Sequence, residues 1–494
     1  MFLDSERRAL SGQQHLKRML LSVAQEGPRL ANSNVWFNGM LARLPLIFLV
    51  LATFGGLLVI GLNPPLRGPD EPAHFLRALG IAQGELVPRT VDARGRRGLY
   101  LARDFYEGFA LFNAVRETEP GRSIYMDAFS RYFAQAVVEP SSGSTVFAPY
   151  EGAESYSPVP YLAYVPATLL SRALGFKFLG TLYAMRFAGL LATAVLAAYA
   201  IAIAPSLKWM FFATAMLPTA IYQRSVVSAD GAALSLALLV IALCLRSVEQ
   251  RGGATQRMGW IAACALTKPP QIAFALLELM NGVGKSRRHW AQAAAAIFGA
   301  FVLCLGWILL SSADVGAWRI REGSGLPAHE FDFFWKLSYL LHHPVVFAAM
   351  SFTSLDYSAE LWRQLIGVFG WLDIHMLPWA YAAISLLLLV CLFDALALPL
   401  AARLRVGGIA LATTLAYCVA VFAIFFVTLT PTTADRILGL QGRYFIAVLP
   451  LLAIVLSALV NRGAGRLAAA AALASTLLSV AVMSEALWRV HWSA

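Results

Sequence analysis

Long apolar runs separated by polar breaks dominate this chain. The runs fall at about 43–62, 183–203, 208–223, 229–246, 290–311, 376–400, 406–429, 444–460 and 466–488. A helix rises 1.5 Å per residue and a hydrocarbon core is ~30 Å thick, so each run reads as a membrane-spanning helix. Two further segments leave alternatives open. Tyr156 to Leu174 opens Tyr-Ser-Pro-Val-Pro-Tyr and is either a span or an aromatic-rich helix at the interface. Met258 to Val283 is interrupted by Thr267-Lys268-Pro269-Pro270 and is either one kinked span or a hairpin of two short helices. The pattern therefore predicts an all-α polytopic membrane protein with about 11 transmembrane helices.

Composition agrees: 59% of the 494 residues are apolar and 14% charged, which excludes an ordinary cytosolic enzyme. The net charge of +11 is spread over helix ends and not gathered on one surface, so it speaks for membrane orientation and lipid phosphate and against nucleic acid. The five cysteines lie in apolar segments without CxxC spacing, supporting neither a disulfide framework nor a zinc site. Residues 1–42 are expected to be a cytoplasmic segment, with Arg7, Arg8, Lys17, Arg18 and Arg29 too far from the first run for a cleavable signal. Residues 43–494 then form one membrane domain with two large extracytoplasmic loops, 63–182 and 312–375.

The sidedness of residues 205–257 depends on the first ambiguous segment. If Tyr156 to Leu174 is interfacial, Lys208, Arg246, Arg251 and Arg257 lie inside; if it spans, Arg172, Lys177, Arg186 and Arg224 do. We adopt the first arrangement. It puts the 246–257 loop and Lys285-Ser286-Arg287-Arg288 in the cytoplasm and Asp230 at the outer face.

Chemistry concentrates where spans meet loops. After the first span comes Gly68-Pro69-Asp70-Glu71-Pro72-Ala73-His74-Phe75-Leu76-Arg77, which reads as a helix start with Asp70 capping free N–H groups. Phe75, Leu76, Leu79 and Ala82 are expected on the membrane surface, while Asp70, His74 and Arg77 share one face. The acidic pair is either a plain cap with its own ion pair or a functional carboxylate pair at the mouth of a membrane cavity.

Near the far end, Gly439-Leu440-Gln441-Gly442-Arg443-Tyr444 leads into a span. Arg443 is either an interfacial anchor or a two-pronged phosphate ligand, with the glycines allowing close backbone approach to a ligand. Lys268 either binds phosphate or marks a wet helix break, and Asp230 either faces the cavity or caps a helix. Asp373 and His375 fit an aromatic belt with polar groups better than a metal site, and His342-His343-Pro344 reads as loop. Asp394 sits in an apolar run without an evident role. Neither GxSxG, HExxH, a P-loop nor a dinucleotide fingerprint occurs. Two carboxylates and cations at one bilayer face suit chemistry on a lipid-linked phosphate.

The motifs Pro69-Asp70-Glu71-Pro72-Ala73-His74-Phe75, Tyr156-Ser157-Pro158-Val159-Pro160-Tyr161, Leu217-Pro218 with Ser228 and Asp230, Gly367 to Pro378, and Gln441-Gly442-Arg443-Tyr444-Phe445 together resemble a bacterial family of predicted membrane proteins, domain of unknown function 2142. That family in turn looks like the GT-C glycosyltransferases. The second likeness implies a GT-C-like fold, catalysis by Asp70 and Glu71, and 156–174 as an interfacial helix of the first loop. It implies a polyprenyl-phosphate-linked sugar donor and an acceptor glycan, lipid or protein outside the cytoplasmic (inner) membrane. Transfer would be inverting, with Asp70 as general base, Arg443, Lys268 and Tyr444 at the donor phosphate, and His74, Arg77, Tyr156, Asp230, Asp373, His375 and Gln441 around the acceptor or cavity. No cofactor is expected, and the sequence does not support a divalent metal. The alternatives are a polysaccharide polymerase or ligase using a pyrophosphate-linked glycan, and a lipid or glycan flippase.

Overall fold

A computed structural model describes residues 39–135, 144–249, 253–282, 287–311, 325–394, 396, 398–460 and 465–493. Most of the expected cytoplasmic segment, Arg251, Lys285-Ser286 and the start of the 312–375 loop lie outside these residues. In chain order come α1 (Gly39–Leu62) and α2 (Glu71–Ala82). A lobe follows, built of β1 (Gly98–Ala102), α3 (Arg103–Arg116), α4 (Arg122–Gln135), β2 (Thr145–Pro149) and α5 (Tyr164–Ala173). Next are α6 (Phe178–Ile203), α7 (Lys208–Ala215), α8 (Pro218–Ser225), α9 (Asp230–Glu249), α10 (Ala254–Ala265), a 3-10 helix at Pro269–Glu278, α11 (Leu279–Gly282) and α12 (Arg287–Ser311). The remainder holds α13 (Phe333–His342), α14 (Pro344–Thr353), α15 (Ser358–Gly367), β3 (Val368–Phe369), β4 (Ile374–His375), α16 (Pro378–Leu392), α17 (Leu400–Thr428), α18 (Val448–Leu459) and α19 (Gly465–His491).

Among the described residues six helices, α1, α6, α9, α12, α17 and α19, are long and apolar enough to cross a membrane, and α16 and α18 are shorter apolar helices. The lipid-facing sides are plain: Phe298 on α12, Leu415 on α17 and Leu477 on α19 are exposed although large and apolar. The mainly helical, multi-pass architecture matches the sequence pattern. It also carries two small two-stranded antiparallel sheets, β1 with β2 and β3 with β4, that the pattern did not predict.

One expectation changes, and each of the two open segments takes one of its two forms. The run 208–223 is not one helix: Pro218 brings no N–H, Leu217 is extended, and the chain splits into α7 and α8. Arg224 at the end of α8 reaches back and donates to the carbonyl of Ala215, one of those freed by the break. The second ambiguous segment is a hairpin, α10 returning through Pro269–Glu278, with Lys268 at its tip. Arg257 clasps Glu278 near the other end through two hydrogen bonds of 2.8 and 2.7 Å. Finally, α5 has 10 residues, about 15 Å, too short to span. Its exposed Leu169 and Leu170 suit an interface instead.

The face of α2 carrying Phe75, Leu76 and Leu79 does not lie on a membrane surface. It is buried under the lobe, where Phe75, Phe109, Phe112 and Phe178 form one aromatic cluster; the rings of Phe75 and Phe178 meet edge to face at 5.4 Å. That packing fixes α2 as a rigid platform for what lies at its start.

Candidate functional site

The turn before α2 is held by Glu71, not by Asp70. The Asp70 side chain caps nothing, and its backbone is left-handed at φ 53°, a conformation Asp tolerates better than most residues. Glu71 is fully buried. Its Oε2 accepts from the Gly68 N–H (3.1 Å) and its Oε1 from the Val227 N–H (3.0 Å). Both oxygens also receive Arg186, Nε at 2.8 Å and Nη2 at 2.6 Å, and the same guanidinium binds the carbonyls of Asn63 and Pro64. Gly68 permits the close pass: a Cβ there would lie 2.8 Å from that of Val226. The clasp ties the end of α1, the start of α2, α6 and the loop before α9 together. Glu71, expected as the second member of a catalytic pair, is therefore shut away from any cavity. Arg186, its partner, was counted in the sequence only as an orientation charge.

With Glu71 turned inward, Asp70 turns outward into a cavity of about 530 Å³, its side chain 49% exposed. His74, Tyr156, Ser157, Lys268, Gln441 and Tyr444 line the polar side. Trp307 and Ile308 of α12 and Val421, Ile424 and Phe425 of α17 form an apolar wall. Behind the polar side lies a niche of about 20 Å³, room for one water, bordered by Gln223, Asp230, Lys268, Arg443 and Tyr444.

Four charges join the two spaces. Lys268 is paired with Asp230. Arg443 places Nε 3.2 Å from Asp230 Oδ2 and Nη2 3.4 Å from Asp70 Oδ2. The Arg443 Nε makes no aligned hydrogen bond among the described residues, which leaves a donor for a stronger anion. The Lys268 ammonium sits 4.7 Å from the ring centre of Tyr444 and 5.9 Å from that of Tyr156. Gln223 Oε1 and Gln441 Oε1 are acceptors without a hydrogen-bond partner among the described residues.

Three distant segments place these groups. Arg443 follows Gly442, which touches the α15 backbone: a Cβ would fall 1.8 Å from the Leu361 carbonyl oxygen, and the Gly442 N–H donates to Gln364 Oε1 at 2.9 Å. That glycine thus serves contact with α15 and not approach to a ligand. Lys268 stands at the hairpin tip. Asp230 opens α9 just beyond Ser228, which is pinned by Tyr164: the hydroxyl accepts from its N–H and donates to its carbonyl, at 3.1 and 2.9 Å.

His74 lies one turn after Asp70, with Nδ1 2.6 Å from the Tyr161 hydroxyl and its ring edge-on to Tyr156 at 5.2 Å. Burial pushes the imidazole down to about 4; Asp70 and Asp230 pull it upward, and Lys268 and Arg443 push it further down. Arg77, on the same helix face, does not reach the cavity. It donates to the carbonyls of Glu85, Leu86 and Tyr156 and fixes the turn after α2. Asp373 is also elsewhere, bound to Arg67 at 3.1 Å, and the carbonyl of His375 accepts from Arg489. His343 joins α13 to α14, and Asp394 lies just past the end of α16, not deep in a span. No group of three metal-ligating side chains occurs among the described residues.

The site thus unites Asp70, His74, Tyr156, Asp230, Lys268, Gln441, Arg443 and Tyr444, and leaves Glu71, Arg77, Asp373 and His375 as structural ties. Sequence reasoning missed Arg186, Tyr161 and Tyr164. An arginine inside an apolar run was the available signal for the first, and Tyr161 belongs to the Tyr-Ser-Pro-Val-Pro-Tyr motif.

No curated protein and no solved structure matches the chain. The model of a family described as predicted membrane protein (DUF2142) matches residues 53–452, a stretch that holds both the Asp70 turn and Arg443, and the chain belongs to that family.

Proposed function

We propose that this protein is an inverting glycosyltransferase that moves a sugar from a polyprenyl-phosphate donor to a hydroxyl-bearing acceptor on the extracytoplasmic side of the bacterial inner membrane. One observation carries the reading: the half-exposed carboxylate of Asp70 stands in a cavity with an apolar wall, with Lys268 on its polar side and Arg443 in the niche behind. The wall suits a lipid chain. The cations suit its phosphate.

In the transfer, the acceptor hydroxyl gives its proton to Asp70 as its oxygen bonds to the anomeric carbon. The bond from that carbon to the phosphate oxygen breaks on the opposite side, and the electron pair leaves with polyprenyl phosphate. Arg443 and Lys268 stabilise the charge gathering there, and protonated Asp70 later releases its proton to water. The likeness of the family to GT-C enzymes supports the same assignment by analogy of motif.

The direct test is transfer by the purified protein in lipid vesicles, with synthetic polyprenyl-phosphate sugars and extracted envelope acceptors. Failure with every donor while lipid-linked glycans cross the bilayer would favour a flippase. That reading draws on the two interrupted segments, α7 with α8 and the Lys268 hairpin.

A further inference from the structure

The hydrogen-bonding state of His74 is fixed by its surroundings. Tyr161 is fully buried, and among the described residues its hydroxyl has one hydrogen-bond partner, His74 Nδ1 at 2.6 Å. A buried hydroxyl gives up its proton to whatever acceptor it has, so Tyr161 donates and Nδ1 accepts. The imidazole proton then sits on Nε2. That nitrogen has no protein partner among the described residues, and His74 lines the cavity one helical turn from Asp70. The charged groups that act on the ring are Asp70 from α2, Asp230 from α9, Lys268 from the hairpin tip and Arg443 from the 3-10 turn before α18, with the Tyr156 ring 5.2 Å away. Two carboxylates and two cations balance, and burial decides in favour of the neutral ring.

We infer that His74 is a ligand-binding residue which, as a neutral Nε2–H donor locked by Tyr161, forms with Asp70 a two-point site for a hydroxyl group. A hydroxyl has one proton to give and lone pairs to fill. Asp70 takes the proton's hydrogen bond, and His74 supplies a donor to the oxygen. A phosphate would lack the proton that Asp70 needs, so the pair selects an alcohol, leaving anions to Arg443 and Lys268. The choice of a sugar hydroxyl as ligand rests on the transferase reading; the tautomer and the donor–acceptor pair do not.

The experiment is nitrogen NMR of the full chain labelled with 15N-histidine in lipid nanodiscs, with His74→Gln identifying the resonance. Should that variant not fold, the resonance displaced by Tyr161→Phe identifies it instead. We expect Nδ1 bare and Nε2 protonated from pH 8 to pH 5, a mixture of tautomers in Tyr161→Phe, and movement of the Nε2 signal on titration with methyl glycosides that weakens severalfold in Asp70→Asn. A proton on Nδ1, an imidazolium at pH 6, or no movement with glycosides would overturn the inference. Glycoside binding without any transfer activity would sink the transferase reading and leave this one standing.

Discussion

Glu71 and Arg186 meet in a two-pronged ion pair, 2.6 and 2.8 Å, with neither side chain exposed. Every remaining lone pair of Glu71 faces a backbone donor, so the pair is satisfied as buried charges must be. Removing one partner strands the other. Glu71→Ala is expected to cost about 3–5 kcal/mol, while Asp70→Asn, at a half-exposed position, stays within about 1 kcal/mol of wild type. Thermal unfolding in detergent measures both. A Glu71→Ala protein as stable as wild type would refute the clasp.

How far the sequence could go is visible in this pair. Asp70 and Glu71 are indistinguishable by type and by position before a helix. Their roles separate only because Arg186 arrives from 115 residues away. The chemistry-bearing motifs could be found because each sits at an abrupt change from apolar to polar. Which of their members face the cavity could not, because a helical face predicts direction but not what covers it: Asp70 and His74 look into the cavity, while Arg77, one turn on, is claimed by the 85–86 backbone. Run length misled at 208–223, where Pro218 outweighs apolarity. It left the 258–283 hairpin undecided, since the Arg257–Glu278 clasp that settles it is a tertiary contact.

Stability should fall as the medium is acidified. The His74 imidazole is held at about 4 when folded against 6.5 when free, so between pH 6.5 and pH 4 the unfolded chain binds the extra proton. The stability tied to the neutral ring is fully present above about 6.5, declines through this window by at most about 3 kcal/mol, and levels off below about 4. The check is the difference between wild type and His74→Gln across the window. Parallel curves for the two would show that His74 does not titrate this way.

Orientation follows from the shortness of α5, which leaves α6 to make the next crossing after α1. A cysteine at Gln256, on the exposed start of α10, is expected to react with impermeant maleimide only after the inner face is opened; one at Met126, exposed on α4, should react from outside. Quantified labelling of intact and opened cells decides. Outside labelling at position 256 would reverse the arrangement.

Arg443 is expected to hold the donor phosphate. Arg443→Lys keeps the charge but loses the planar fork, and turnover and donor affinity should both fall about tenfold; Arg443→Ala should do worse on both. An interfacial anchor would accept lysine freely. Donor binding and transfer rates for the two variants separate the roles, and a fully active lysine variant would reduce Arg443 to an anchor.

The central claim is that Asp70 takes the acceptor proton. Its most direct test is the rate of sugar transfer by Asp70→Asn in reconstituted vesicles, measured beside donor binding and unfolding temperature. Asparagine keeps the size and loses the base. The account predicts a fall of at least about a hundredfold in transfer with donor binding within about twofold of wild type. Transfer within about tenfold of wild type, a barrier change of only ~1.4 kcal/mol, would contradict it.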